Sequence, residues 1–198
     1  MVADPGQHKN VASQHPTVSA RLGNAVNDWK ADVMSALQKE DRPFLIGHAD
    51  YKCTQIPARD GTPHGSIKRS NRFPNCSFFT GWTSVDDKVT WDAEVAADGD
   101  YEVEIHYTCP KADVGSTIEL SLNDARLTGR ITESHDPPIR GAEHDRVPRK
   151  ESLVKDFKSL SLGTVRLEKG RGELTLRATK IPGSQAMEFR LIMFTRLK

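Results

Sequence analysis

Hydrophobic residues in this chain follow two different periods, one before Asp41 and one after Pro43. In the first part, apolar residues recur at steps of three or four, at Val18, Leu22, Val26, Trp29, Val33 and Leu37. This spacing predicts one apolar face on an α-helix of about six turns. Pro16 suits the first helical position, and Asp41-Arg42-Pro43 ends the helix because a residue before proline avoids the α region.

From Phe44 onward, apolar and polar residues alternate, which is typical of half-buried strands. The clearest strands are Val89–Val95 and Tyr101–Cys109, joined by a turn at 97–100. Further strands are expected at 118–122, 126–131, 162–167, 173–178 and 187–197, with shorter ones at 44–49 and 77–80. The pattern predicts a mainly β fold, an antiparallel jelly-roll β-sandwich preceded by one amphipathic N-terminal α-helix. We place the domain boundary between residues 42 and 43.

Composition excludes several classes of partner. The chain has 28 Lys and Arg against 27 Asp and Glu, so no overall field favours nucleic acid or a membrane surface. No run of eighteen apolar residues is present, and the N-terminus shows no export signal. Cys53, Cys76 and Cys109 allow one disulfide and a free thiol, or three buried thiols, which we prefer.

The N-terminal segment carries the first resemblance. It contains, in order, Asp4-Pro5-Gly6-Gln7, Asn10-Val11-Ala12, His15-Pro16, Arg21-Leu22 and Trp29. This run resembles the closing segment of the catalytic domain of type I (formylglycine) sulfatases, similar to N-acetylgalactosamine-6-sulfatase. The resemblance implies that residues 1–42 are the tail and last helix of that domain, and that Met1 is a boundary or a miscalled start. The parent protein would be a periplasmic or extracellular sulfate-ester hydrolase.

The second resemblance covers residues 87–198. The runs that carry it are Val89–Tyr107, Ser116–Asn123, Leu162–Gly170 and Glu173–Ala178. They are similar to the galactose-binding-like jelly rolls of carbohydrate-binding modules. Such modules often hold a structural calcium at a loop, for which Asp86, Asp87 and Asp156 are available, although the sequence selects no ligand set.

No catalytic motif is recognisable in the chain. A sulfatase needs its cysteine or serine in a C-x-P-x-R context, but Cys53 is followed by its proline four positions later, at Pro57. The sequence also lacks a G-x-S-x-G elbow, an H-E-x-x-H helix and a P-loop. We therefore expect a non-catalytic chain with no cofactor and no assigned metal site.

The stretch from residue 59 to 82 combines cations with aromatic rings and contains no acidic residue after Gly61. Its candidate ligand-binding residues are Arg59, His64, Arg69, Arg72 and Trp82. Guanidinium groups pair with sulfate or carboxylate oxygens, and a flat ring stacks on a pyranose. The alternative is that the rings are core anchors and the cations are merely solvated. Trp91, Tyr101 and Tyr107 are predicted core residues because they share the inward phase of their strands.

These observations predict a module that binds sulfated or acidic polysaccharide and targets a parent sulfatase to it. One alternative is a structural or oligomerisation domain without sugar binding, with the sulfatase catalytic domain or a second copy packed on the helix. Another is that the 59–72 loop completes the parent active site. The first interpretation predicts an exposed Trp82 beside Arg69 and Arg72, and the second predicts these side chains buried. The loop 132–153, with His135-Asp136 and His144-Asp145, is expected to be polar and without metal.

Overall fold

The computed structural model describes residues 4–37, 41–73 and 75–197. Contacts within the chain divide it into two units, Met1–Arg42 and Pro43–Lys198. The first unit holds a short 3₁₀ turn, Ala12–Gln14, and helix α1, Pro16–Leu37. The predicted helix is confirmed, whereas residues 38–40, at its expected end, lie outside the described residues.

The apolar face of α1 is solvent-facing in this unit. No residue of the helix is buried, and Leu22, Val26 and Trp29 are 54%, 60% and 66% exposed. Within the described ranges, no helix is long and apolar enough to cross a membrane.

The second unit is a sandwich of two six-stranded sheets. Its strands are β1 (Phe44–Ile46), β2 (Cys53–Pro57), β3 (Thr62–His64), β4 (Lys68–Arg69), β5 (Phe79–Thr80), β6 (Lys88–Val95), β7 (Gly99–Thr108), β8 (Thr117–Leu122), β9 (Ala125–Arg130), β10 (Lys158–Leu167), β11 (Gly170–Lys180) and β12 (Glu188–Arg196). The predicted mainly β architecture is confirmed.

The two sheets share an almost wholly antiparallel topology. The first sheet has the order β1-β6-β11-β8-β9, with β3 also on β6, and the second has the order β10-β7-β12-β5-β4, with β2 also on β12. Only β1 and β6 pair in parallel among the described strands, with Phe44 opposite Ala93. Strands β2, β3 and β4 were not expected, since each is short and lacks clear alternation.

The core lies between the sheets and holds the predicted inward residues. Trp91, Tyr101 and Tyr107 are at most 2% exposed, which confirms their prediction as core residues. Each also satisfies its polar atom: Trp91 Nε1 donates to Pro57 O at 3.2 Å, Tyr101 Oη to Ala97 O at 2.8 Å, and Tyr107 Oη to Glu133 O at 3.0 Å. Buried rings with satisfied donors fix the two sheets against each other.

The cysteines depart from the preferred interpretation of three buried thiols. All three are free, but only Cys109 is buried, whereas Cys76 is half-buried and Cys53 is exposed. Cys53 lies on β2 opposite Thr195, at an outward position of its strand. The prediction was wrong for Cys53 because β2 was not recognised as a strand with one face in solvent.

Candidate functional site

Trp82 is part of the core. It is 1% exposed, and its ring meets Phe189 edge to face at 6.5 Å between centroids. The backbone of this segment is fixed as well, since Ala186 N donates to Trp82 O at 2.8 Å. The prediction that Trp82 is an exposed stacking ring is therefore wrong. A strand-end tryptophan next to glycine looks exposed in sequence, but here its ring packs in the core beside Phe189.

Arg59 and Arg69 are brought together. Arg59 lies on the 3₁₀ turn Ala58–Asp60 between β2 and β3, and Arg69 Nη2 donates to the Arg59 carbonyl at 2.5 Å. The Arg59 side chain is 37% exposed, with its Nε 3.5 Å from Asp60 Oδ1. The Arg69 guanidinium thus lies against the Arg59 backbone, and Asp60 offsets part of the Arg59 charge.

His64 lies apart from Arg69 in the sheet arrangement. It ends β3 in the first sheet, whereas Arg69 ends β4 in the second. Its Nε2 is 2.9 Å from Thr90 Oγ1, on the outer face of the first sheet. This half-buried imidazole is engaged with a neighbouring strand, and it is not grouped with Arg69.

Asp87 holds both ends of the 66–83 segment that contains most of the predicted site. Its carboxylate accepts hydrogen bonds from Ser66 N at 3.0 Å, Ser66 Oγ at 2.5 Å, Thr83 N at 3.1 Å and Ser84 N at 2.9 Å. Burial alone would raise the pKa of Asp87, but these hydrogen bonds outweigh it and lower the pKa. Gly65, at φ +76°, leaves the space that the Asp87 carboxylate occupies, because a Cβ at residue 65 would lie 1.9 Å from Asp87 Oδ1.

The segment around Arg72 meets the long loop that the sequence placed between 132 and 153. Asn71 Nδ2 donates to Lys150 O at 2.5 Å, and the Phe78 ring meets Phe157 edge on at 5.3 Å. Arg72 Cζ lies 4.6 Å from the centroid of the Phe73 ring, a cation–π contact. Two stretches that are distant in sequence therefore lie side by side, and each of them carries cations. We call the cations of the two stretches the basic surface: Lys68, Arg69, Arg72, Arg140, Arg146 and Lys150.

The charges of the basic surface are largely uncompensated. Within the described part of the chain, no cation of the basic surface forms an ion pair. The carboxylates of the neighbouring loop are already engaged. Asp145 pairs with Arg149 at 2.5 Å, and Glu143 accepts a hydrogen bond from Gly141 N at 2.7 Å. Backbone hydrogen bonds and, to a lesser degree, the charge of Arg140 lower the pKa of Glu143, so Glu143 stays charged and offsets part of the Arg140 charge.

A nearly buried lysine anchors the far end of that loop. Lys155, whose side chain is 8% exposed, donates to Glu188 Oε2 at 2.6 Å and to Asp136 Oδ1 at 3.0 Å. Thr108 Oγ1 donates to the same Glu188 oxygen at 2.7 Å. Burial opposes the charge of Lys155, but the two carboxylates outweigh it and raise its pKa. The backbone of His135 also pairs with Cys109, so the loop leaves and rejoins the sandwich at defined points.

The residues considered for calcium do not form a ligand set. Among the residues that the structure describes, no three His, Cys, Asp or Glu side chains are grouped so that they would hold a metal. Asp87 already accepts four hydrogen bonds, and Asp156 lies 3.3 Å from His135 Nε2. Asp87 therefore clamps a loop by itself, and a calcium site has no ligands assigned.

The fold of this chain is similar to that of several solved structures. The chain matches no protein family model and no curated protein. A family 35 carbohydrate-binding module from Clostridium thermocellum shares the fold at a TM-score of 0.52 and 8% identity, over 74% of this chain and 100% of the module. The GH26-CBM35 β-(1,4)-mannanase of Podospora anserina gives 0.50 and 16%, over 74% of this chain and 28% of the enzyme.

The same fold also occurs outside enzymes. The Cry4Aa toxin of Bacillus thuringiensis gives a TM-score of 0.56 at 15% identity, over 80% of this chain and 25% of the toxin. The chain thus spans about a quarter of the length of the mannanase and of the toxin. The fold is the β-sandwich of carbohydrate-binding modules of families 35 and 6. At such identities the likeness defines the fold and leaves the ligand to the residues of this chain.

Proposed function

We propose that the β-sandwich is a non-catalytic carbohydrate-binding module that binds sulfated or acidic glycans through the basic surface. The observation that carries the proposal is the contact of Asn71, between Arg69 and Arg72, with the loop at Lys150, while neither arginine forms an ion pair with a carboxylate among the described residues. Enzymes with this fold in one of their domains include a mannanase, which supports a glycan as the ligand class.

The basic surface suits anionic groups better than neutral sugars. Guanidinium groups donate paired hydrogen bonds to sulfate or carboxylate oxygens. Stacking contributes less here, because Trp82 is buried and Arg72 already lies over the Phe73 ring. Binding should therefore be mainly electrostatic, and because exposed charges are screened, it should weaken as salt rises.

The proposal extends to the parent protein. We infer that the module belongs to a secreted sulfate-ester hydrolase and keeps it near its polymeric substrate. Support comes from the sulfatase-like run between Asp4 and Trp29. The exposed apolar face of α1 also fits a helix that packs on a catalytic domain.

The test compares sulfated, uronic-acid and neutral polysaccharides at two salt concentrations, with chondroitin sulfate, polygalacturonate and laminarin as probes. We expect salt-sensitive binding to one or both anionic polymers. Arg72→Ala and Arg69→Ala should each weaken it about fivefold, or about 1 kcal/mol. Arg126→Ala is the matched control, because Arg126 lies on β9 beside the β8–β9 turn and forms its ion pair with Glu119.

Binding of the anionic polymers that does not weaken with salt, or that is unchanged in both variants, would contradict the proposal. Absence of binding together with a dimeric protein would favour a structural domain, the alternative that the sequence left open.

A further inference from the structure

An exposed tyrosine lies in a depression at the end of the sandwich away from the basic surface. The depression has a volume of about 450 Å³ and is lined by Ala49, Asp50, Tyr51, Lys52, Arg196 and Leu197. Tyr51 is 66% exposed, in contrast to the buried rings of Trp82, Trp91 and Tyr101. A large exposed ring in a concavity with a few polar groups is suited to binding a sugar.

Strand β12 separates this depression from the basic surface. Near its beginning, Phe189 pairs with Phe79, the neighbour of Arg69 across β4 and β5. Near its end, Arg196 N donates to Lys52 O at 2.9 Å. The seven residue steps from Phe189 to Arg196 correspond to about 23 Å, so one binding event need not involve the other.

The loop between β1 and β2 holds Tyr51 in place. Tyr51 N donates to His48 O at 3.2 Å, and Asp50 N donates to His48 Nδ1 at 3.1 Å. The rings of His48 and Tyr51 contact each other with centroids 5.2 Å apart. The loop begins at Gly47, where a Cβ would lie 1.9 Å from Tyr101 Oη. The tyrosine is therefore presented on a defined turn, which lowers the entropy cost of binding.

The polar groups around the ring point to an uncharged ligand. The Asp50 side chain is 82% exposed and accepts hydroxyl hydrogens, while Lys52 donates beside it. Arg196 Nη2 is directed at Asp98 O, 3.4 Å away. Asp50 is acidic, whereas Lys52 and Arg196 are basic, so the lining offers both acceptors and donors, as sugar hydroxyls require.

We propose that Tyr51, Asp50 and Lys52 form a second saccharide-binding subsite, which takes a pyranose unit of a neutral glycan by stacking on Tyr51. The subsite does not depend on anion binding at the basic surface. A neighbouring depression of about 410 Å³ contains Asn123 and Lys169, and Lys169 N donates to Asp98 Oδ1 at 2.5 Å. Since Asp98 contacts residues of both depressions, this end offers room beside the stacked unit for further sugar units of the chain.

The test is affinity electrophoresis of the full chain in gels that contain laminarin, galactomannan or xyloglucan. At least one of these neutral polymers should retard the protein. Tyr51→Ala should weaken binding at least tenfold, whereas Tyr51→Phe, which keeps the ring, should stay within threefold. Trp29→Ala is the matched control, since Trp29 is also 66% exposed but lies on α1.

The outcomes separate this subsite from the proposed function. Arg72→Ala and added salt should leave neutral-glycan binding unchanged, even if binding to sulfated polymers is lost. The inference is overturned if none of the three polymers retards the folded protein, or if Tyr51→Ala binds like the unmodified chain. It is equally overturned if Trp29→Ala causes the same loss, because the effect would then not belong to the depression.

Discussion

The Trp82 ring meets the Phe189 ring edge to face, with centroids 6.5 Å apart and an angle of 78° between the planes. Phe189 also meets Trp91 in the same geometry, at 6.0 Å. One phenylalanine on β12 therefore joins two tryptophans, one from the loop before β6 and one from β6 itself. Such ring pairs add stability beyond the area they bury, so this cluster is a structural centre of the sandwich.

Trp82→Ala should destabilise the protein strongly. Removing a fully buried tryptophan leaves a cavity and loses its transfer free energy, which together cost about 3–5 kcal/mol. Urea unfolding followed by circular dichroism measures the change. Trp82→Phe should cost clearly less, because an aromatic ring still fills the space beside Phe189. A loss below 1 kcal/mol for the alanine variant would show that the ring is not a core anchor.

Asp87 should make stability depend on acid. Because the folded-state pKa of Asp87 is lowered, its contribution is complete above the ordinary value of 3.8 and is lost as the pH falls through the folded value. Asp87→Asn should lower the free energy of unfolding by about 2 kcal/mol at pH 7, because the groups that donate hydrogen bonds to the carboxylate lose a charged acceptor. The difference between the two proteins should shrink below pH 3.8. Urea unfolding at pH 7, 4 and 3 tests this, and a constant difference would contradict it.

Lys155 should protect the long loop from proteolysis. Lys155→Ala leaves Glu188 and Asp136 without their shared cation, so the end of the loop detaches from the sandwich more often. Trypsin should then cleave after Arg146 and Arg149 several-fold faster. Lys158→Ala is the control, because its partner Glu133 is largely exposed. Equal cleavage rates in both variants would show that Lys155 does not anchor the loop.

The three thiols should differ in reactivity. Burial raises the pKa of Cys109 to about 11, so little of it is thiolate at pH 8, and reagents do not reach it. Iodoacetamide should modify Cys53 first and leave Cys109 unmodified in the folded protein. Peptide mass spectrometry reads out each site. Modification of Cys109 at a rate like that of Cys53 would contradict its burial.

The long strands were predictable because their side chains alternate without interruption. On β7, every second residue faces the core of the sandwich, as the spacing indicates: Tyr101, Val103, Ile105 and Tyr107. Short strands such as Lys68–Arg69 were not predictable, since two residues carry no period and the strand exists only through pairing with β5. The helix was likewise evident from its apolar face.

Only one of the two stretches that form the candidate surface was predictable from the sequence. The cations between Arg59 and Arg72 stand out in sequence, but their neighbour Lys150 lies 79 positions from Asn71 and no local signal links them. Trp82 shows the opposite difficulty. Its polar flanks suggest a surface ring, while its burial depends on Phe189, a residue more than a hundred positions away.

The position of β12 has a consequence for synthesis on the ribosome. This strand lies between β7 and β2 and carries Phe189, the ring shared by both core tryptophans. Until residues 188–196 have left the exit tunnel, the second sheet lacks its middle strand, and the edges of β2 and β7 that pair with β12 have no neighbour. The sandwich therefore closes as a late, cooperative step, and a nascent chain halted before Glu188 exposes apolar surface that chaperones bind.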